Sequence, residues 1–331
     1  MKAFWHMITT LTFIGLLSGC GSDGATNPHN SSSPSSPVVR VAYAGSLQLL
    51  NNRYLGPAFE KISHARYQGQ GGGSYGLAHE IASGSLAANV FESIGYGPIG
   101  VVEPAKMSWA LAVASSPLVL AYNPHSPFAS ALNQIRQGQR SFQDLFHILA
   151  EPGFKLGRTN PNTDPQGQAF VMAIQLAQQQ YHLSSRSVYR ILGPTTTGPE
   201  IYTEEGILSL LQSGGLDASS AFLSEAVQRH LDYIPFPSQL NFSSPQEART
   251  YHKAHITLSN GTVIPGAPLT IDVTTIGHPP SPKAIQFVEF LLSSRGKNLL
   301  KQEGYTVFRP YAVGNINALP QALRQDLNHV R

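Results

Sequence analysis

Residues 38–50 read VVRVAYAGSLQLL, and residues 65–84 read ARYQGQGGGSYGLAHEIASG. Each is a short β-rich run, a glycine turn, a serine, and then a helix-like stretch. Val38, Val39, Val41 and Ala42 form the first strand, bounded by Gly45, and Ser46 stands where a helix N-cap is expected. The second passage repeats the plan with more glycine, Ser74 opening the helix. Two strand–turn–helix units in succession point to an α/β fold with helices on both faces of largely parallel sheets. Glycine lets the backbone turn at positive φ and lie close against a small group. A helix start offers unpaired N–H groups and the positive end of its dipole. Together they suit an anion.

The same alternation continues along the chain. WALAVASSPLVLAYNP (109–124) is a long apolar run that reads as a crossing strand. GRTNPNTDPQG (157–167) joins a strand to the strongest helix pattern in the chain, with Asp164 as N-cap and Pro165 at the first helical position. LDASSAFLSEAVQRHLDYIPFP (216–237) gives strand, helix and strand, and a second crossing strand falls near residue 270. SPKAIQFVEFLLSSRGKNLLKQEGY (281–305) is helical, starting at Ser281 and split at Gly296. Pro57 is expected to break or kink the first helix.

The two crossing strands divide the folded part into lobe I, residues 38–122 plus 270–331, and lobe II, residues 123–269. Residues 1–20, MKAFWHMITTLTFIGLLSGC, carry Lys2 and an apolar stretch from Ile8 to Leu17 too short to span a bilayer comfortably. The segment ends in Leu17-Ser18-Gly19-Cys20, which resembles the bacterial lipobox, in which the cysteine is lipid-modified. Cys20 is the chain's single cysteine, so its lipidation leaves no thiol for a disulfide or a thiolate metal site. Residues 21–37 are rich in Ser, Pro and Asn and read as a flexible tether.

Of the 331 residues only 12% are charged, and the formal net charge is +3. Lysines and arginines are scattered, with no basic run interleaved with aromatics, which argues against nucleic acid as partner.

In order along the chain stand the lipobox, AGSL after the first strand, the glycine loop ending in Ser74, GRTNPNTDPQG, and KAIQFVEFLLSSRGKNLLKQEGY. Together they resemble the periplasmic solute-binding proteins of ABC importers, specifically the molybdate/tungstate-binding subfamily, from about Val38 to Pro310. The resemblance implies a two-lobed periplasmic-binding-protein fold of type II. That fold has mixed sheets flanked by helices, a ligand cleft between the lobes and two crossover strands. It implies capture of a tetrahedral oxyanion, molybdate or tungstate, by a monomer that needs no cofactor and is not an enzyme, and delivery to an ABC transporter permease. The protein would be lipid-anchored through Cys20 to the cell membrane, facing the periplasm or the cell exterior.

Carried over residue by residue, the resemblance puts Ser46 and Ser74 at the two first-lobe anion sites. Asp164 takes the place of a carboxylate that can bind the metal centre directly. The later segment puts Ala221 where the family has a glutamate, and Ser224 at a serine of the pattern; Glu225 is close by in another register. Losing that carboxylate favours a four-coordinate oxyanion over six-coordinate metal. An ionised Asp164 would repel a fully ionised oxyanion, so it is a metal ligand, a partner for a protonated anion, or a helix cap only. Two alternatives stand beside this reading. One is a sulfate or other small-anion binding protein of the same fold. The other is a serine hydrolase using Ser74 in GGSYG (72–76), which fits G-x-S-x-G, although the strand before it is short and polar. Tyr75 and Gln166 flank the proposed loops; Arg158 could neutralise an anion but is expected in a salt bridge or facing solvent.

Overall fold

A computed structural model describes residues 36–102, 108–324 and 327. The lipobox with Cys20 and nearly all of the tether lie outside the described residues. Residues from Ser36 onward form one compact unit.

Thirteen strands appear among the described residues. They are β1 (Val38–Ala44), β2 (Arg66–Gly72), β3 (Val90–Ile94), β4 (Trp109–Ser115), β5 (Leu118–Tyr122), β6 (Leu156–Thr159) and β7 (Ile201–Tyr202). Then follow β8 (Ala218–Phe222), β9 (Asp232–Pro235), β10 (His255–Thr257), β11 (Val263–Pro265), β12 (Ile271–Thr275) and β13 (Thr306–Gly314). A six-stranded sheet has the order β13-β4-β12-β3-β1-β2, and a five-stranded sheet the order β7-β6-β8-β5-β9. Both are mixed. β1 runs parallel to β2 and β3, whereas β12 is antiparallel to β3 and β4. In the other sheet β6 is parallel to β7 and β8, and β5 is antiparallel to β8 and β9.

The run 109–124 is two strands, one in each sheet. β4 belongs to the six-stranded sheet and β5 to the five-stranded one, and the chain passes between them at Ser116 and Pro117. Pro117 has no N–H to continue a ladder, so the run divides there, just after the polar pair Ser115 and Ser116. The change of sheet therefore falls before β5, not after residue 122. The return falls near residue 270, where the chain passes from β11 into β12 of the six-stranded sheet.

The first helix absorbs Pro57 without ending. Residues 45–63 are continuously helical, through a 3-10 turn (Gly45–Leu47), a short α segment, a π turn (Asn51–Leu55) and an α-helix (Gly56–Ser63). The wide π turn accommodates a residue that lacks a donor and crowds the preceding turn. The C-terminal helices Pro282–Leu292 and Ser294–Gln302 divide at Ser293, whose hydroxyl accepts from Gly296 N at 3.2 Å. Gly296 lies inside the second helix. A Cβ there would collide with the carbonyls of Phe290 and Leu291, so glycine lets the two helices meet closely.

Asp164 caps the Pro165–Gln180 helix as its sequence predicts, Oδ1 accepting from Gln166 N at 2.8 Å. From Pro165 to Ile174 this helix is buried at every position. Arg158 is fully buried and donates to the carbonyls of Thr195 at 2.7 Å, Pro194 at 2.7 Å and Leu192 at 3.3 Å. It neither faces solvent nor pairs with an acid among the described residues, and burial lowers its pKa.

Candidate functional site

The turn after β1 brings Ser46 into the interior, 4% exposed, with no hydrogen-bond partner for its Oγ among the described residues. The Leu223–Gln228 helix begins directly after β8 and places Ser224, fully buried, in the same condition. These two hydroxyls come from different sheets and line one cavity of about 10 Å³, together with Ser116 and Tyr305. Ser224 N donates to Ser116 Oγ at 2.9 Å, and the Tyr305 hydroxyl donates to the Ser46 carbonyl at 3.0 Å. Ile94, Phe222 and residues 269–271 close the walls. No lysine, arginine or histidine lines this chamber.

A buried polar group left without a partner costs about 1–3 kcal/mol. Two such hydroxyls facing one chamber mark a place for an acceptor-bearing group. The chamber's volume is about that needed for one water, so it excludes a sugar or peptide and must widen to admit an oxyanion. Its neutral donors suit an anion that arrives fully charged.

Ser74 stands one hydrogen bond behind that wall. It is 1% exposed, and its Oγ accepts from the N–H of Ile94 at 3.2 Å. No histidine is bonded to it among the described residues, so the GGSYG serine lacks the base a nucleophile needs. The glycine run before it serves packing. A Cβ on Gly69 or Gly71 would lie 2.7 or 2.9 Å from the Tyr43 ring, and one on Gly73 would lie 2.7 Å from the Thr163 carbonyl. That carbonyl also accepts from Tyr75 N at 2.9 Å and Gly76 N at 3.4 Å, so the donors at this helix start already have a partner. The glycines admit a ring and a carbonyl rather than wrapping an anion.

Asp164 faces a separate groove beside Gly71–Gly73, Thr163 and Glu204. Ala221 points away from the chamber. β8 alternates, so Ser220 and Phe222 share the inner face while Ala221 packs with Val119, Ile207 and Leu211 on the other. The carboxyl that approaches Asp164 is Glu225. Its Oε2 accepts from Phe222 N at 2.7 Å and from Gln166 Nε2 at 2.8 Å. Gln166 binds this group together: Nε2 also donates to Glu204 at 3.3 Å, and Oε1 accepts from Ser220 at 3.0 Å. Burial, with the Asp164 charge adding to it, raises the Glu225 pKa to about 7.

Of the five expected site residues, the structure therefore brings Ser46 and Ser224 to the chamber, sets Ser74 behind it, and leaves Asp164 and Ala221 outside its lining. Sequence motifs do not single out Ser116, Thr270 or Tyr305. Ser116 carries a visible signal, a polar pair before proline between two apolar strands. Thr270 and Tyr305 carry none, because they arrive only when distant strands pair.

The profile of the bacterial extracellular solute-binding protein family matches residues 39–306. Among curated relatives is the molybdate/tungstate-binding protein WtpA of Thermococcus kodakarensis, 25% identical over 347 residues, covering 96% of this chain and 95% of that protein. WtpA of Pyrococcus abyssi is 24% identical over 339 residues, covering 93% and 95%. Among solved structures, the periplasmic molybdate-binding protein of Azotobacter vinelandii superposes with a TM-score of 0.55 at 16% identity, over 81% of this chain and 98% of that one. This likeness shows the fold, that of the type II periplasmic binding proteins. The chain belongs to the bacterial extracellular solute-binding proteins.

Proposed function

We propose that this protein captures a tetrahedral oxyanion, molybdate or tungstate, and hands it to an ABC permease, without catalysing a reaction. The observation that carries the reading is the pair of partnerless buried hydroxyls, Ser46 and Ser224, meeting in one small chamber with no charged side chain in its lining. Its relatives named for molybdate and tungstate support the choice of anion.

Residues 38–115 with 271–314 act as one lobe, and 118–265 as the other, so the chamber lies where a hinge closes. In the open form both serine turns face water. The entering anion loses its hydration and takes hydrogen bonds from Ser46 and Ser224 in exchange, which favours the closed form. Ser74 holds the Ile94 wall, and Glu225 with Gln166 fixes the start of the Ser224 helix. Asp164 serves as helix cap and adds negative charge behind Glu225, which excludes it from direct contact with a fully ionised anion. The protein works as a monomer, and a lipid on Cys20 keeps it near the permease by raising its effective concentration.

Isothermal titration calorimetry on residues 36–331 with molybdate, tungstate, sulfate and phosphate tests this. One-to-one binding of molybdate or tungstate with sulfate ignored is expected. Sulfate binding in their place reassigns the solute, and no heat with any of the four ends the oxyanion reading.

A further inference from the structure

Another cavity, of about 530 Å³, is walled by both lobes. The volume lies within the ~300–1,000 Å³ usual for small-molecule sites. From one lobe come Tyr75 on the Ser74–Ser83 helix, Tyr96 after β3, Asp272 on β12 and Tyr311 on β13. The Pro165–Gln180 helix of the other lobe contributes Gln168 and Met172. The Tyr96 hydroxyl is engaged with Ser108, 3.1 Å from its carbonyl and 2.9 Å from its Oγ, so Tyr96 offers this space its ring rather than its hydroxyl.

Two acceptors in these walls are left open. Asp272 is 1% exposed, and its one hydrogen bond among the described residues comes from Thr270 Oγ1, 2.7 Å from Oδ1. Its Oδ2 has no donor there. Gln168, 3% exposed, gives Nε2 to the Pro161 carbonyl at 2.9 Å, which leaves Oε1 as an acceptor. Among the described residues no lysine, arginine or histidine lines the cavity to neutralise the carboxyl, and burial raises its pKa to about 7. A carboxylate buried without a cation is costly, and aromatic faces present negative potential. An anion entering here would be repelled, and an apolar molecule would leave Asp272 as it is. An organic ammonium ion answers both features, with N–H groups for the acceptors and a body for the rings.

We infer that this cavity is a site for a second ligand, a small organic ammonium ion. Its N–H groups are taken by Asp272 and Gln168, and its apolar or aromatic body packs on Tyr75, Tyr96, Tyr311 and Met172. The two sites divide by charge: the neutral hydroxyls of the serine chamber suit an anion, and the carboxyl here suits a cation. The oxyanion therefore keeps the chamber, and the ammonium is an additional ligand. Because the walls belong to both lobes, an ammonium bound between them favours the closed form. It should bind at least about tenfold more tightly than a neutral molecule of the same shape, since hydrogen bonds to charged groups are the stronger and the ring faces add to them.

The test is calorimetry on residues 36–331, a unit with its own core, titrated with 2-phenylethylammonium and with the neutral 2-phenylethanol, no oxyanion being present. The same titrations are run on Asp272→Asn, which keeps an acceptor for Thr270 and removes the charge, and on Ala267→Trp, which fills the cavity from an exposed position in its lining. Expected is one-to-one binding of the amine, at least about tenfold tighter than the alcohol. Asp272→Asn should bring the amine down to the level of the alcohol, and Ala267→Trp should weaken it at least as much. No heat from the amine overturns the site. Equal affinity for amine and alcohol, or an unchanged amine affinity in either variant, overturns it too. Thermal unfolding shows whether Asp272→Asn is folded; if it is not, the amine–alcohol comparison and Ala267→Trp decide. With no oxyanion in the cell, failure here leaves the oxyanion reading to its own titrations.

Discussion

The turns after β1 and after β2 have nearly the same sequence logic, glycine then serine then helix, and opposite fates. At Ser46 the hydroxyl is buried with no partner and faces the chamber. At Ser74 the hydroxyl accepts from Ile94, and the neighbouring N–H groups are given to the Thr163 carbonyl. What separates them is the chain opposite. Ser46 meets Ser224, whose hydroxyl is equally unsatisfied, whereas the Ser74 turn meets a loop whose carbonyl already supplies an acceptor. A helix start attracts an anion only where the protein has not filled that place itself.

Removing the partnerless hydroxyls should have the largest effect. Ser46→Ala and Ser224→Ala are each expected to weaken oxyanion binding about ten- to a hundredfold, since a hydrogen bond to a charged group contributes about 1.5–3 kcal/mol. Thermal stability should hold or rise, because each change deletes a buried group with no partner. Calorimetry and thermal unfolding of the same samples read both quantities; an unchanged affinity in both variants would remove the chamber from the binding account.

Next comes the brace that holds the Ser46 turn. Asn51 Nδ2 donates to the Leu47 carbonyl at 3.2 Å and to Glu92 Oε2 at 2.6 Å, tying the first helix to β3. Burial raises the Glu92 pKa to about 7 despite that hydrogen bond. With the folded value above the unfolded one, the folded protein holds the proton longer. The stabilisation is complete below about pH 4.5 and is lost as pH rises through about 7. Glu225 and Asp272, each raised to about 7, act in the same direction. Stability should therefore fall between about pH 5 and pH 8, and Glu92→Gln should reduce that fall by about 2–3 kcal/mol. Denaturant unfolding across the pH series measures it, and an unaltered slope in the variant would move the proton to another group.

The smallest effect belongs to the second turn. Ser74→Ala leaves the Ile94 N–H without its acceptor and should cost about 1 kcal/mol of stability, with affinity changed less than in Ser46→Ala. A loss of affinity equal to that of Ser46→Ala would show the two turns to be equivalent after all.

Much of this architecture is legible in the amino-acid sequence itself. The Asp164-Pro165 helix start, the strand at Val38–Ala44 and the α/β class follow from capping residues and β-branched runs, which act over a few neighbours. Pro57 and Gly296 mislead because a π turn and a close helix pair override local preference. Ala221 misleads because a shift of one residue along a strand exchanges one face for the other.

Local sequence thus determined which segments form strands and helices, and that serines would open several of those helices. The tertiary structure alone decided which serine is left without a partner. Capping preferences depend on neighbours along the chain. A buried hydroxyl's hydrogen bonds depend on whatever distant strand or loop packs against it, and for Ser46 that is a helix start in the other sheet's half of the chain, at Ser224.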